Sequence, residues 1–468
     1  MSRLLLPAYR GHQNVVVDPN LDWVAGDKIY FAPTNMHPWH HEYMEIEEYN
    51  AATGEITLTE ELEYYHYGAD ASIADQYGGL DMRGEVILLT RSIRIVGDSS
   101  NDWGCTIVCS DLIEADRSIR TGIMIFDNVE VYRGGQEQTY KSAIRYEGAQ
   151  LADASYVDGS VVWGGNSKQL IIKASKNIRI QNSTFLGGEQ VGVYLQAITN
   201  VHLDNIFVGD VKRRYLNPKL MTIDKEGGIA FCSFLVGDKC YDSSIQNSIV
   251  AGVIYGGYVA PGHECGDTGS NKFRNNVAHS IAGAGAFIFP DPAVSSSLSC
   301  YEGSYFSAYK CIQGPLTTNY VTDELRIRNM LFVDNFMGVS LNVDGESDLK
   351  KIRMYDSEIY GEVDDVNDDC PNTADLQNCW CLNKMGMMLF HFSVKFKALH
   401  PNWENELPIW DVVGNSIWGG DVELNNVNFN RFSSRTKCGA RQRAIMRNPV
   451  TPDYIPMHKF KNSKFRDV

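Results

Sequence analysis

Apolar residues two apart, then an asparagine or aspartate, then a return to apolar residues: this pattern recurs along much of the chain. It is written MIFDNVEV (124–131), IRIQNSTF (178–185), VHLDNIFV (201–208), SIQNSIV (244–250) and KFRNNVA (272–278). Three more copies are LRIRNMLF (325–332), IRMYDSEI (352–359) and VELNNVNF (422–429). The polar positions fall at Asn128, Asn182, Asn205, Asn247, Asn275, Asn329, Asp356 and Asn426. Their separations read as one, two or three units of about two dozen residues, which is too short for a domain and suits one turn of a solenoid. Period-two alternation makes the segments strands. The expected fold is all-β, a right-handed parallel β-helix, with the asparagines forming a ladder from coil to coil. Strict alternation sends each asparagine to the same side as the apolar residues before it, so the ladder is expected inside. Gly283 and Gly285, in the small-residue stretch IAGAGAFIF that follows KFRNNVA, are expected to allow close backbone approach or a turn.

An antiparallel sandwich would also alternate, but it calls for Asn-Gly or Asp-Gly hairpins between runs, and Asp344-Gly345 is the main such pair. Helical solenoids are disfavoured by the lack of 3.6-residue periodicity. Residues 14 to 100 alternate without the repeat and suggest a β-rich module (1–100) covering the first coil, because solenoid ends need covering. The helix is then expected over 101–430. Residues 431–468 lack the repeat and form a basic tail that covers or extends the far end.

Composition sharpens this picture in three ways. With 44% hydrophobic residues and 41 glycines in 468, the chain has a core to bury and many tight turns. No apolar run reaches the ~18 to 20 residues of a membrane-crossing helix. The opening MSRLLLPAYRG is too short in apolar residues for a secretory leader, so an exported chain would take its signal from outside this sequence. The net charge of -16 opposes nucleic-acid binding. It is uneven: residues 431–468 hold ten Lys or Arg against Asp453 and Asp467. That asymmetry suggests head-to-tail contact between copies.

Nine of the eleven cysteines cluster as Cys105 with Cys109, Cys232 with Cys240, Cys300 with Cys311, and Cys370, Cys379 with Cys381; Cys265 and Cys438 stand apart. Local clustering favours disulfides and an oxidising, extracellular setting. A zinc site is disfavoured because no Cys-x-x-Cys pair exists, and no metal or cofactor is expected.

Several strings resemble a known family. WVAGDKIYFAPT, LEYYHYG, RGEVILLTRSIRIVGD, IVAGVIYGGYVAPGHECG, NNVAHSIAGAGAFIFPDP and CYEGSYFSAYKC are similar to fibrocystin and fibrocystin-like surface proteins, with a more distant likeness to the cell-migration-inducing hyaluronidases. The resemblance runs over roughly residues 15 to 345. It implies a cell-surface or extracellular β-helix, often on cilia or in surface coats, and fixes no activity. Such a protein would meet copies of itself, other surface glycoproteins or glycans.

The alternative is a polysaccharide-acting enzyme on the same scaffold, which needs two carboxylates about a glycosidic bond. Asp356, Glu358, Asp364 and Asp365 are the candidates. The string SYVDGSVVWGGNSKQL carries Trp163 and Gly164 where the hyaluronidases typically carry a histidine, which disfavours that reading. His263 and His279 are expected to be structural. The sequon Asn182-Ser183-Thr184 falls on the ladder, so Asn182 is expected to carry no glycan. Trp39, Trp403, Trp410 and Trp418 are candidates for stacking on sugars or partners.

Overall fold

The computed structural model describes residues 1–72, 77–98, 103–136, 139, 141–151, 155–212, 227–232, 240–266, 272–289, 300–318, 323–341, 351–363, 384–389, 394–396, 410–412, 421–432, 442–447 and 458–466. From Ile93 onward most of the described strands stack into three parallel sheets, making a right-handed parallel β-helix, while Leu112–Ile113 with Ile119–Arg120 and Val394–Phe396 with Trp410–Val412 form separate antiparallel pairs. The first sheet begins Ile125–Asp127, Ser155–Asp158, Lys176–Gln181 and Thr199–Asp204. The second begins Ile93–Val96, Val129–Tyr132, Val161–Trp163 and Thr184–Leu186, and the third Ile107–Cys109, Ile144–Glu147 and Leu170–Lys173. The long strands Lys351–Tyr360 and Asp421–Asn430 run through the corner between the first two sheets and join them.

The inner faces are dry and apolar. Val157, Ile180, Leu203 and Ile245 fill one column, and Val131, Val162, Phe185 and Val208 another. Each such side chain contributes about 1.5–3 kcal/mol over an exposed one. Small residues let coils touch: a Cβ at Gly283 would lie 1.2 Å from the Tyr255 carbonyl oxygen, and one at Gly285 2.5 Å from that of Pro315. These are the two glycines at which close approach is expected from sequence.

The repeat asparagines mark the corner between the first and second sheets, but they point outward. Asn128, Asn182, Asn205, Asn247, Asn275, Asn329 and Asn426 are all exposed. Each has φ between 49° and 56°, the left-handed region that asparagine tolerates better than most residues. That single left-handed residue breaks the two-residue alternation, so the inward place passes to its successor. Ser183, Ser248, Asn276 and Ser357 take it and are buried. Gly159 and Tyr305 occupy the same corner, with φ of 56° and 57°, without asparagine.

Spacing also differs from expectation. The separation of 42 from Asn205 to Asn247, and the 70 from Asp356 to Asn426, are each a single coil with a long connection, since strands 199–204 and 244–246 pair directly, as do 351–360 and 421–430. Residues beyond 430 continue the stack: Gln442–Arg447 joins the third sheet, His458–Lys461 the first and Lys464–Arg466 the second.

The N-terminal segment forms a six-stranded antiparallel sheet in the order Ser2–Arg3, Glu85–Leu88, Lys28–Phe31, Glu42–Asn50, Glu55–Leu58, Asn14–Val16. It lies along the flank of the helix and leaves the first coil uncovered. The reason is readable in its two inner strands, which are apolar on both faces. Ile29, Phe31 and Val86 fill the module's own core, while Tyr30, Ala32, Ile87 and Leu89 pack on Val161, Leu186, Phe207 and Ala251 of the helix. A second patch sets Tyr67, Tyr77 and Met82 against Tyr309 and Val333.

Candidate functional site

Three constellations carry chemistry: the outer corner, the seam beneath the module, and an open groove on the third sheet. At the corner, side-chain amides bond from coil to coil. Asn205 Nδ2 donates to Asn182 Oδ1 at 2.8 Å, and Asn275 Nδ2 to Asn247 Oδ1 at 3.3 Å. Where the lower partner is acidic the amide donates to a carboxylate: Asn182 to Asp158 at 2.9 Å, Asn247 to Asp204 at 2.7 Å, Asn426 to Asp356 at 2.8 Å. Beneath them Ser183 Oγ donates to the Gln181 carbonyl and accepts from the Ser160 N–H, and Ser357 does the same for Tyr355 and Met330. This serine column went unread in the sequence, although a Ser follows the repeat Asn or Asp at 183, 248 and 357. Asn182 is exposed, yet both ends of its amide are engaged in the ladder.

The seam buries charge. At the end of the second sheet a second left-handed corner holds Asp210, Ser280, Lys310 and Asp334, with φ between 48° and 54°. His41 Nε2 lies 3.1 Å from Asp210 Oδ1, the Tyr43 hydroxyl donates to Asp210 Oδ2 at 2.8 Å, and Lys212 is 3.6 Å away. Burial raises the Asp210 pKa, but the hydrogen bond and charge of His41, with Lys212 and Tyr43, hold it below the usual carboxylate range. Nearby, Glu85 sits 2.5 Å from Arg3 and 3.2 Å from His279, whose ring stacks on Tyr309 at 4.5 Å. Burial again opposes ionisation of Glu85; Arg3 and then His279 outweigh it, and its pKa is lowered. Lys310 and Asp334 form a fully buried pair at 3.0 Å. His40, stacked between His37 and Tyr64, is depressed to about 2 by burial and by the neighbouring histidines His37, His66 and His41. Asp210 with His41 and Tyr43, and Glu85 with Arg3 and His279, clamp module to helix, whereas Lys310 and Asp334 pair within the helix and His40 stacks within the module. His263 is buried, 3.8 Å from Glu302.

The groove is open. About 520 Å³ in volume, it is lined by Trp103, Thr106, Val108, Gln136, Lys141, Arg145 and Glu147. Alternation places Ile144 and Tyr146 inside the helix, so Arg145 and Glu147 form the outward floor. Trp103 is fixed by a backbone bridge to Gln136 while its indole is 63% exposed, with Lys141 Nζ 5.7 Å from the ring. Glu147 is paired with Arg145 and lies 3.6 Å from Lys173. Sequence reading missed this site because its residues come from three separated segments and match no motif.

Of the acidic candidates, the two that are described, Asp356 and Glu358, do not line the groove. Asp356 accepts from Asn426 at the corner, and Glu358 accepts from the Tyr360 hydroxyl beside Gly78 of the module. Asp364 and Asp365 lie outside the described residues, as do Cys370, Cys379, Cys381, Trp403 and Trp418. Trp39 is half-buried against His37 and His40; Trp410 begins the short strand 410–412. Cys232 bridges Cys240. Cys300 bridges Cys265 and not its sequence neighbour Cys311, which is buried inside the helix beside the Tyr309 carbonyl, its thiol pKa raised by burial. Cys105 and Cys109 are free thiols. They sit at the start and end of a strand lead-in, four residues apart, rather than across a closed loop. Among the described residues no cluster of three or more His, Cys, Asp or Glu could hold a metal, and no helix is long and apolar enough to cross a membrane.

Fold and sites together define a β-solenoid with a flank-docked β-module. The chain is similar in sequence to fibrocystin and to a G8 domain-containing protein. It is 23% identical to fibrocystin of Canis lupus familiaris over 343 residues, 73% of this chain and 8% of that protein. It is 22% identical to a G8 domain-containing protein of Dictyostelium discoideum over 209 residues, 44% of this chain and 17% of that protein. The chain thus spans a small fraction of the length of these relatives. No protein-family model matches it. Solved structures with a similar course include the tailspike protein gp49 of Pseudomonas phage LKA1, at 9% identity, covering 98% of this chain and 64% of that one, with a TM-score of 0.31. Another is the catalytic domain of a GH87 alpha-1,3-glucanase in complex with nigerose, at 10% identity, covering 98% and 90%, with a TM-score of 0.36. At these scores neither bears on function.

Proposed function

We propose that the chain is a structural or adhesion protein of the cell surface or extracellular space that acts without catalysis and joins copies of itself head to tail. The observation that carries this reading is the first coil. Among the described residues strands 93–96, 107–109 and 125–127 each pair on one side only, and Ile93, Val96 and Ile125 are at least half exposed. Open strand edges with apolar side chains are templates for another chain. The last described coil offers a matching surface, with Phe460 and Phe465 about half exposed and Lys459, Lys461, Lys464 and Arg466 around them.

Position relative to the corner sets the register. Lys461 precedes corner Asn462 as Asp127 precedes corner Asn128, so stacking in the sense of the helix brings Lys461 to Asp127 and Phe460 to Phe126. Asn128, which lacks a coil beneath it and bonds its own neighbour Asp127, would then donate to Asn462. This register sets a condition at the second sheet: Ile93–Val96 already pairs with Val129–Tyr132 at the level Lys464–Arg466 would take, so Lys464–Arg466 must leave its pairing with Asn428–Asn430 for the copies to stack. A catalytic reading is disfavoured because the groove holds one carboxylate, already ion-paired.

Sedimentation of the chain over a range of concentrations tests the assembly. Growth with concentration is expected, lost in Asp127→Lys and in Lys461→Asp, and restored in the double reversal. A monomer at all concentrations, or a double reversal that restores nothing, would refute the reading. Incubation with hyaluronan should leave its chain length unchanged.

A further inference from the structure

The seam is closed and the corner ladder is internally satisfied, whereas the groove over the third sheet is accessible and so far has no role. We propose that it binds an anionic polysaccharide, one sugar face lying on Trp103 with the acidic group held between Lys141 and Arg145. This goes beyond head-to-tail assembly, because the groove opens sideways from the helix while the stacking surface faces along its axis.

Three observations converge. The indole is exposed and held in place by backbone pairing, so its ring is a rigid apolar platform that loses little entropy on contact. Charge reverses locally: Lys141 and Arg145 line the groove with a single carboxylate, Glu147, which also lies 3.6 Å from Lys173, on a chain whose net charge is -16. A solvated surface chosen only for solubility would follow the sign of the whole, and field focusing at a cationic depression concentrates anions. Finally, the floor sets a guanidinium, Arg145 beside Glu147, next to Gln136 and Thr106, which add neutral partners for hydroxyls.

A compact inorganic anion would use the cations and leave the indole idle. A neutral sugar would use the indole and leave the net positive charge of the groove unused. A sugar chain bearing carboxylate or sulfate uses both. Glu147 tunes the site: it repels an incoming anion while holding Arg145 and Lys173 in place.

The test is fluorescence-anisotropy titration of the full chain with labelled hyaluronan oligosaccharide, which carries carboxylates alone, labelled chondroitin sulfate, which adds sulfate, and labelled neutral dextran. Binding to one or both acidic chains and none to dextran is expected. Trp103→Ala and Lys141→Glu should each weaken binding about ten-fold or more, the loss a 1.4 kcal/mol interaction entails. Trp103→Phe should keep most of the affinity, which separates loss of the platform from loss of fold. Glu147→Gln should strengthen it several-fold. Binding to hyaluronan identifies carboxylate as sufficient; binding to chondroitin sulfate alone identifies sulfate. Dextran binding as strong as the acidic chains, or a Trp103→Ala variant that binds like the parent, would overturn the proposal. Adding Asp127→Lys to the parent removes stacking but should leave glycan affinity unchanged, so failure of either idea is seen independently.

Discussion

The helix has two left-handed corners with nearly the same backbone and opposite surroundings. At the outer one, φ near 50° is met by asparagines whose amides face water and one another. At the inner one, the same φ is met by Asp210, Ser280, Lys310 and Asp334, roofed by the N-terminal module. The contrast separates two demands that a repeat sequence mixes. Conformation selects the residue where solvent can satisfy it, whereas burial selects the partner, and a charged residue is tolerable at the inner corner because another charge or a module histidine reaches it.

The two corners should therefore respond differently to substitution. The largest effect is expected at Lys310→Ala, which strands Asp334 uncompensated in a buried site and should cost about 3–5 kcal/mol. Urea unfolding would measure it, and a loss below 1 kcal/mol would show that the corner is wetter than its burial indicates. Next is acid. Asp210 and Glu85 both have folded pKa values below their ordinary 3.8 and 4.5, so their contribution is complete above those values and fades as pH falls through the lowered ones. Below about pH 4 the module should begin to undock while the helix persists, seen as loss of near-ultraviolet dichroism from the Tyr30, Tyr43 and Trp163 cluster with far-ultraviolet signal retained. An unchanged near-ultraviolet spectrum at pH 2 would contradict the clamp. The smallest effect belongs to the outer corner. Asn205→Ala should cost about 1–2 kcal/mol, from a left-handed alanine and a lost ladder bond, and Asn205→Gly clearly less. Equal losses in the two would mean that the ladder, not the backbone, governs the site.

Much of the solenoid was legible because its periodicity is local: Ile178, Ile180 and Phe185 announce strands without reference to anything distant. The direction of Asn182 was not, since alternation is a rule for uninterrupted strands and one residue at positive φ inverts it. Gly159 and Tyr305 hid two coils by filling the corner without an amide. The docking of the module was half visible in KIYFA and EVILL, whose unbroken apolar character signals burial on both faces, but nothing local says against what. The groove was invisible, because Trp103, Lys141 and Arg145 meet only when successive coils stack. The pairing of Cys265 with Cys300 needed three dimensions for the same reason: separation in sequence ranked Cys311 first, and its side chain points into the helix.

The single coils of 42 and 70 residues carry a consequence for how such chains change. Successive strands keep their pairing whatever the length of chain between them, so extra amino acids there add nothing to the height of the stack. A lineage can thus lengthen such a connection without renegotiating a single rung.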